Sequence, residues 1–566
     1  MTAIALPRRN FGRPHSPNIT ILLLVAFVVL GSGLGLRDPW PADEPRFALV
    51  AKQMVESGDW LFPHRGTELY SDKPPLFMWS QAALYWLTGS LRVAFLLPSL
   101  LAGLLTIVLT YDLGRRLWNR QVGLYAAWAL LFTVQFTLQM KRAQIDPLLL
   151  AWVTLAHYAL LRHILKDPDW KMWCLGWFAA GLGVITKGVG VIALFVLIPA
   201  MAATCWQRSL TNDWWRNWRF WLGPAALLIA IALWLVPMLA AVRLAPSAEH
   251  LAYAEDILFR QTVKRYADSW THIKPPWYFM GVMVSAWLPL MLAMPWAVVP
   301  WKKRILRGDP RVLLLLGSWL LIVVFFSMPS GKRDMYILPA LPLACLALAP
   351  LLPGMLKRTG PRALLFAFIG ALATGLAATG IAMLFGNPGF EQRFLLERGI
   401  PTGQWGVAGL VLAMAAPVAV GVVVAVRGRL LLGTLAGLAG MWVVFGTLGA
   451  VVLNDSSSSR GLMEAVAQRI GPDAELGLVG WREQQLLMSR SRSVEFGFNR
   501  AFEDQLESAL TWQAQRPGDR WLLIEGRAIP DELRDGNLIA AGVANRRRWW
   551  LLPAGDHGTS AREGSR

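Results

Sequence analysis

Residues 404–426 read QWGVAGLVLAMAAPVAVGVVVAV, and after Arg427 and Gly428 residues 429–453 read RLLLGTLAGLAGMWVVFGTLGAVVL. Each run reaches the roughly 20 residues that an α-helix needs to cross a hydrocarbon core. Neither holds an acid, and the basic residues Arg427 and Arg429 sit at the turn between them. Two such runs joined by a short basic turn read as a helical hairpin in a bilayer, where only backbone that satisfies its own hydrogen bonds is tolerated.

The pattern repeats outward from that hairpin. Comparable runs occupy 18–36, 91–112, 121–138, 146–163, 172–187, 189–206, 219–241, 279–300, 312–328, 335–352 and 362–385, making about thirteen transmembrane helices in all. Shorter apolar pieces at 44–56 and 74–89 read as interfacial helices. Composition agrees, with 55% hydrophobic and 16% charged residues, against about a quarter charged in soluble domains. The run Asn18–Leu36 lacks a small-residue cleavage pattern, so it reads as span one rather than a signal peptide. Cys174, Cys205 and Cys345 lie in apolar runs and read as buried small hydrophobes, not as a disulfide or zinc framework.

The charge of +19 is unevenly placed. Residues 455–566 hold 15 Arg, no Lys and 16 Asp plus Glu, so the membrane part carries the whole excess. There the basic residues fall in alternate short loops, from Arg8, Arg9 and Arg13 through Arg115, Arg116 and Arg120 to Lys302, Lys303 and Arg304. This is the pattern of cytoplasmic loops, not of a nucleic-acid-binding face. It places the N-terminus on the cytoplasmic side, and an odd span count then puts 455–566 outside. The outer loops, at about 37–90, 242–278 and 386–403, are longer and rich in aromatic residues and Pro. Loops of that length in a compact protein usually carry function. The expected architecture is an all-α polytopic membrane domain (1–454) with interfacial helices, plus a small C-terminal α/β extracytoplasmic domain (455–566). In that domain Glu475–Trp481, Arg520–Glu525 and Arg548–Leu552 read as strands, and Arg460–Ile470 and Phe502–Gln515 as helices.

The densest polar cluster runs from Asp38 through Trp40, Asp43 and Glu44 to Arg46. Two readings are open. Asp43 is a helix N-cap with Pro45 in the first turn, and Arg46 snorkels to headgroups. Or Asp43 is a base and Arg46, one turn on, binds an anion. Ser71-Asp72-Lys73-Pro74-Pro75 is either a rigid surface turn or, through Lys73 beside Arg46, a phosphate grip. His64, His250 and His272 stand in outer loops without a ligand spacing, so no metal is expected.

These residues carry a resemblance. Asp43-Glu44-Pro45-Arg46-Phe47-Ala48, Gly58-Asp59-Trp60 and Asp72-Lys73-Pro74-Pro75-Leu76 resemble the membrane glycosyltransferases of the GT-C type. More narrowly they resemble the bacterial family of the aminoarabinose (lipid A) transferases, itself similar to the protein O-mannosyltransferases. Arg142-Ala143-Gln144-Ile145-Asp146-Pro147, Thr186-Lys187-Gly188 and the segment Ser327–Pro339 with Lys332, Arg333 and Tyr336 continue the likeness in order over 1–350. The resemblance implies transfer of a sugar from a polyprenyl-phosphate carrier to an acceptor at the periplasmic face. It implies Asp43 as the central acid and Asp146 as a second. Arg46, Lys73, Arg265, Lys332 and Arg333 would hold the carrier phosphate, and Glu44, Asp72, Lys187 and Tyr336 would contact substrate. Asp146 also reads as an N-cap before Pro147, and the two roles are compatible. The chain departs from the family at Asp72, where Glu is usual, and at Gln261-Thr262, where a Glu-His pair is usual. No cofactor is therefore expected, and the acceptor stays open between a lipid A-type glycolipid, another glycan and a protein. A transporter or flippase would also suit many spans, but the acids and bases here sit at the outer ends of spans rather than at the midplane. A non-enzymatic anchoring protein gives no reason for Asp43, Lys73 and Asp146 to share one face.

Overall fold

A computed structural model of the chain describes residues 19–166, 168–205, 216–258, 272–386, 389–400, 406–534 and 537–553. The molecule is mostly helical. Among the described residues seven helices are long and apolar enough to cross a membrane, or nine if each of two bent pairs is one span. The other expected spans fall on the shorter apolar helices Ile19–Gly31, Gly190–Cys205 and Asp334–Leu348, and on Trp170–Lys187.

Two runs expected to be continuous are broken. Arg120–Leu131 and Val134–Met140 meet at 68°, and Tyr278–Ala286 and Leu290–Leu306 meet at 98°. Pro289 at the second break has no N–H to continue a helix. The two breaks satisfy each other: the Val134 N–H donates to the Leu288 carbonyl (3.0 Å), and Trp287 Nε1 donates to Gln135 Oε1 (2.6 Å). Broken backbone at membrane depth survives only with such partners.

The hairpin Gly406–Val426 and Leu430–Ser458 packs backbone to backbone. A methyl on Gly421 would lie 2.4 Å from the Gly433 carbonyl oxygen, and one on Gly433 would lie 2.2 Å from that of Gly421. Small residues allow this closeness, which is how helices associate where burial in lipid gives no hydrophobic drive. Cys345 is fully buried, but Cys205 is exposed on its apolar helix, contrary to the expectation that all three cysteines are buried. An exposed apolar side chain there faces what surrounds the bundle.

The basic loops gather at one end. Arg116, Arg162, Lys166 and Lys171 line one crevice there, and Lys166, Arg304, Arg307 and Arg311 line its neighbour. The polar motifs gather elsewhere, around the first long loop. That loop holds helix Glu44–Ser57, closed by Gly58 at φ +77°, a short hairpin (His64–Arg65 with Glu68–Leu69) and helix Leu76–Thr88.

Residues 475–552 form a five-stranded sheet in the order Arg492–Glu495, Glu475–Val479, Arg520–Glu525, Arg547–Leu552, Ile539–Ala544. The first three strands are parallel and the last two pair antiparallel. Phe47, Val50 and Met54 of the loop share one apolar core with Phe77 and with Leu462, Leu476, Trp481 and Trp549 of the C-terminal region. The loop and the sheet are thus packed as one body. Polar contacts reinforce it: Thr67 donates to Glu495 Oε1 (2.6 Å), Asn499 Nδ2 to Glu68 Oε2 (2.6 Å), and the Arg65 guanidinium lies 3.7 Å over Phe498.

Candidate active site

A cavity of about 500 Å³ opens where the first long loop, the break before Ile145, the segment after Lys332 and the last long helix converge. One wall is polar, with Arg37, Asp43, Glu44, Gln144, Arg333 and Arg398. The other is apolar, with Leu30, Leu96, Leu100, Leu138 and Phe445. Such a lining suits an amphipathic molecule with a charged head.

Asp43 stands at the N-cap position of helix Glu44–Ser57, but its side chain caps nothing. The N-cap reading is corrected: the backbone there is already helical (φ −102°, ψ −31°), which points the carboxylate away from the following N–H groups. Asp43 Oδ2 instead accepts from Arg333 Nη2 (3.0 Å) and Gln144 Nε2 (3.1 Å). Oδ1 has no protein partner among the described residues. Burial opposes the charge of Arg333, but Asp43 first and then Asp146 outweigh it and hold the guanidinium above its ordinary range.

Glu44 is also on the wall, but its role is structural. Its oxygens take a fork from Arg37 (2.5 and 2.8 Å) and the N–H groups of Trp40 (2.8 Å) and Ala143 (3.1 Å). A carboxylate so engaged has little hydrogen-bonding capacity left for a further partner. Asp38, one residue past Arg37, is gripped by Arg92 (2.7 and 2.9 Å), Arg460 (2.6 and 2.9 Å) and Asn454 (2.8 Å). Burial raises its pKa, but these hydrogen bonds outweigh it and hold the carboxyl at about 2.

Asp146 is not an N-cap either. Gln144 holds that position and Asp146 lies in the first turn of Ile145–Leu165. Its carboxylate pairs with Lys187 at 2.5 Å, and the ammonium lies 4.6 Å over the Tyr336 ring. Lys187, which closes helix Trp170–Lys187, and Tyr336 are therefore together with Asp146. Arg333, paired with Asp43, also feels the Asp146 carboxylate electrostatically.

The expected phosphate-binding cations divide. Arg333 is in the cavity wall. Arg46 reaches Glu483 of the C-terminal domain (3.1 Å). Burial disfavours its charge, but Tyr70, Glu483 and Asp43 more than restore it. Asp72 lies 4.0 Å from Arg65, and Lys73 follows it in the turn before Leu76–Thr88; neither lines the cavity. Lys332 is buried and its Nζ donates to the carbonyls of Lys274 (3.1 Å) and Pro329 (2.5 Å). Two of the three ammonium donors are thus taken by backbone carbonyls. Arg265, with Gln261 and Thr262, lies outside the described residues. Among the described residues no three His, Cys, Asp or Glu side chains are placed to share a metal ion, and His250 stacks on Phe62 (3.9 Å).

Arg37, Gln144, Arg398, Asn454, Arg460 and Glu483 join the site or its supports without having been singled out by role. Gln144 lay inside a quoted motif. Asn454, Arg460 and Glu483 are more than 400 residues from their partners in the first loop, and nothing local marks them.

Residues 72–237 match the family model described as dolichyl-phosphate-mannose-protein mannosyltransferase. The undecaprenyl phosphate-alpha-4-amino-4-deoxy-L-arabinose arabinosyl transferase of Pseudomonas paraeruginosa is 31% identical over 412 residues, 69% of this chain and 70% of that protein. Transferases of the same name from Pectobacterium carotovorum (27% identical) and Pseudomonas aeruginosa (34% identical) match over 64% and 57% of this chain. The matches span 65% and 58% of those two relatives, under two thirds of their length. The crystal structure of ArnT from Cupriavidus metallidurans bound to undecaprenyl phosphate superposes with a TM-score of 0.72 at 20% identity, covering 94% of this chain and 97% of that one, so the two share a fold. The chain belongs to the family of the undecaprenyl phosphate-alpha-4-amino-4-deoxy-L-arabinose arabinosyl transferases.

Proposed function

We propose that this chain is an inner-membrane glycosyltransferase that moves a sugar, 4-amino-4-deoxy-L-arabinose or a close relative, from undecaprenyl phosphate to an acceptor at the periplasmic face. The observation that carries the reading is the Asp43 carboxylate, fixed through Oδ2 by Arg333 and Gln144 with Oδ1 unclaimed, on the polar wall of an amphipathic cavity. The names of the relatives weigh against the transporter.

The bond that breaks joins the sugar's anomeric carbon to a phosphate oxygen, and the bond that forms joins that carbon to an acceptor oxygen. The leaving phosphate gains negative charge, and Arg333 with Arg46 supplies the preorganised positive charge that stabilises it. Lys73 and Arg265 are further candidates for that role. With a hydroxyl acceptor the proton passes to Asp43. With a phosphate acceptor no proton moves, and Asp43 orients the sugar. Asp146, Lys187 and Tyr336 hold the second side of the site, against the sugar. The acceptor is a phosphorylated glycolipid of the lipid A type. All thirteen apolar runs cross the bilayer, the N-terminus is cytoplasmic, and 455–566 lies in the periplasm, with membrane lipid around the bundle and no nucleic-acid partner.

The test is reconstitution in proteoliposomes with the undecaprenyl-phosphate-linked aminosugar and lipid A. Asp43→Asn should cut release of undecaprenyl phosphate at least ~100-fold, in the range for a positioned acid-base group. Undiminished turnover would overturn the role of Asp43. A reporter fused after Ser456 should be active only outside the inner membrane.

A further inference from the structure

The C-terminal region carries a second cavity, of about 830 Å³, lined by the five arginines Arg527, Arg534, Arg546, Arg547 and Arg548. It follows the hairpin Ile539–Ala544/Arg547–Leu552, whose turn residues Asn545 and Arg546 both have positive φ (51° and 66°). Asn545 lines both cavities. Its Nδ2 donates to the Ser457 carbonyl (2.9 Å) at the end of the last long helix.

The one acid among the described residues of the groove, Glu525, is buried and already paired with Arg527 (3.0 Å) and approached by Arg547 (3.7 Å). Arg548 has no acidic partner among the described residues. Arg546 reaches Glu397 (2.8 Å) but is 77% exposed. Nη1 of Arg547 is shut off from solvent and makes no hydrogen bond. Burial, and then the Arg482 guanidinium, push Arg547 below the usual arginine range despite Glu525. Guanidinium groups held together at such a cost are relieved by an anion, and their planar forks match phosphate or carboxylate oxygens. Trp550, also in the lining, offers an aromatic surface to a sugar ring.

We propose that Arg527, Arg546, Arg547 and Arg548, around Trp550, form a docking groove for the anionic saccharide of the acceptor, continuous through Asn545 with the Asp43 cavity. The inference rests on the transferase reading above. It assigns the groove to the acceptor because the donor's single phosphate is already served by Arg333 and Arg46. A head group with further anionic positions would span both cavities, one end presented to Asp43 and the other held by the arginines.

The experiment uses the full chain in nanodiscs of zwitterionic lipid and a soluble probe, glucosamine disaccharide 1,4′-bisphosphate, with the unphosphorylated disaccharide as control. The probe should bind wild type and Asp43→Asn alike, and Arg527→Ser/Arg548→Ser at least tenfold more weakly. The control should not compete. In turnover assays the same double variant should raise the KM for lipid A at least tenfold and leave kcat and the donor KM unchanged. Equal probe affinity in wild type and the double variant would overturn the proposal. So would competition by vesicles of anionic phospholipid as strong as by the bisphosphate, since the groove would then read a membrane surface. Arginine-dependent probe binding in a protein that turns over no carrier-linked sugar would count against the transferase reading alone.

Discussion

Arg37→Gln, Glu44→Gln and the double variant form a cycle whose outcome depends on burial. The two side chains are 8% and 6% exposed and meet through two contacts of 2.5 and 2.8 Å. Glu44→Gln leaves the Arg37 guanidinium buried against a neutral amide, and Arg37→Gln leaves the carboxylate facing the Trp40 and Ala143 N–H groups alone. Breaking a buried pair from one side costs about 3–5 kcal/mol, because the remaining charge has lost its partner but not its desolvation. The double variant buries no charge. It gives up only the charge assistance of two hydrogen bonds, roughly 1 kcal/mol each. The double should therefore cost about 2 kcal/mol where the singles sum to about 6–10 kcal/mol, a coupling of about 4–8 kcal/mol. Equilibrium unfolding by SDS in mixed micelles, followed by tryptophan fluorescence, measures all four proteins. A double variant as unstable as the sum of the singles would show that the pair does not act as a unit and would refute the structural role given to Glu44.

Lys332→Met should lower the unfolding midpoint while leaving the apparent affinity for undecaprenyl phosphate within about twofold, whereas Arg333→Met should weaken that affinity about tenfold or more, the worth of one lost charge-assisted contact; titration of both variants with the carrier separates the two roles. The Asp38 carboxyl sits at about 2 in the fold and near 3.9 in an unfolded chain. Its folded value being the lower, its stabilisation is complete above about pH 4 and is lost as pH falls towards 2. Hydrogen-exchange protection factors (rates corrected for the intrinsic rate at each pH) at residues 38–46 and 454–464 should be unchanged from pH 7 to pH 5 and fall below pH 4; loosening that begins above pH 5 would point to another group. Gly421→Val, which drives a side chain into the Gly433 carbonyl, should destabilise the protein by about 1–3 kcal/mol or more, read as a fall in monodisperse protein on extraction.

The bundle was legible because lipid imposes one rule on every span, and the described part of each apolar run is mostly helical. The bends at Phe132–Thr133 and at Pro289 were not, because each depends on the backbone partner that the other supplies. In the C-terminal domain the strands Arg492–Glu495 and Ile539–Ala544 escaped notice. Both are edge strands of the sheet: Arg492–Glu495 (RSVE) has no apolar run, and Ile539–Ala544 (IAAGVA) is mostly Ala and Gly, which are poor strand formers. Family motifs brought Asp43, Asp146, Lys187, Arg333 and Tyr336 to one region. They also pointed to Glu44 and Lys332, whose types suit a substrate contact but whose side chains engage Arg37 and backbone carbonyls. Charge type is visible in a sequence; whether the charge is already used is a property of the packing.

The shared core between the first long loop and the C-terminal domain has a consequence for biosynthesis. Asp38 waits for Arg460, Arg46 for Glu483 and Glu68 for Asn499, partners made more than 400 residues later. During synthesis the loop emerges beside the first helix with its apolar face, Phe47, Val50 and Met54, lacking half its cover. The polar wall of the cavity is braced only when the sheet has folded against it. A chain stalled within its spans holds Asp43 without that brace.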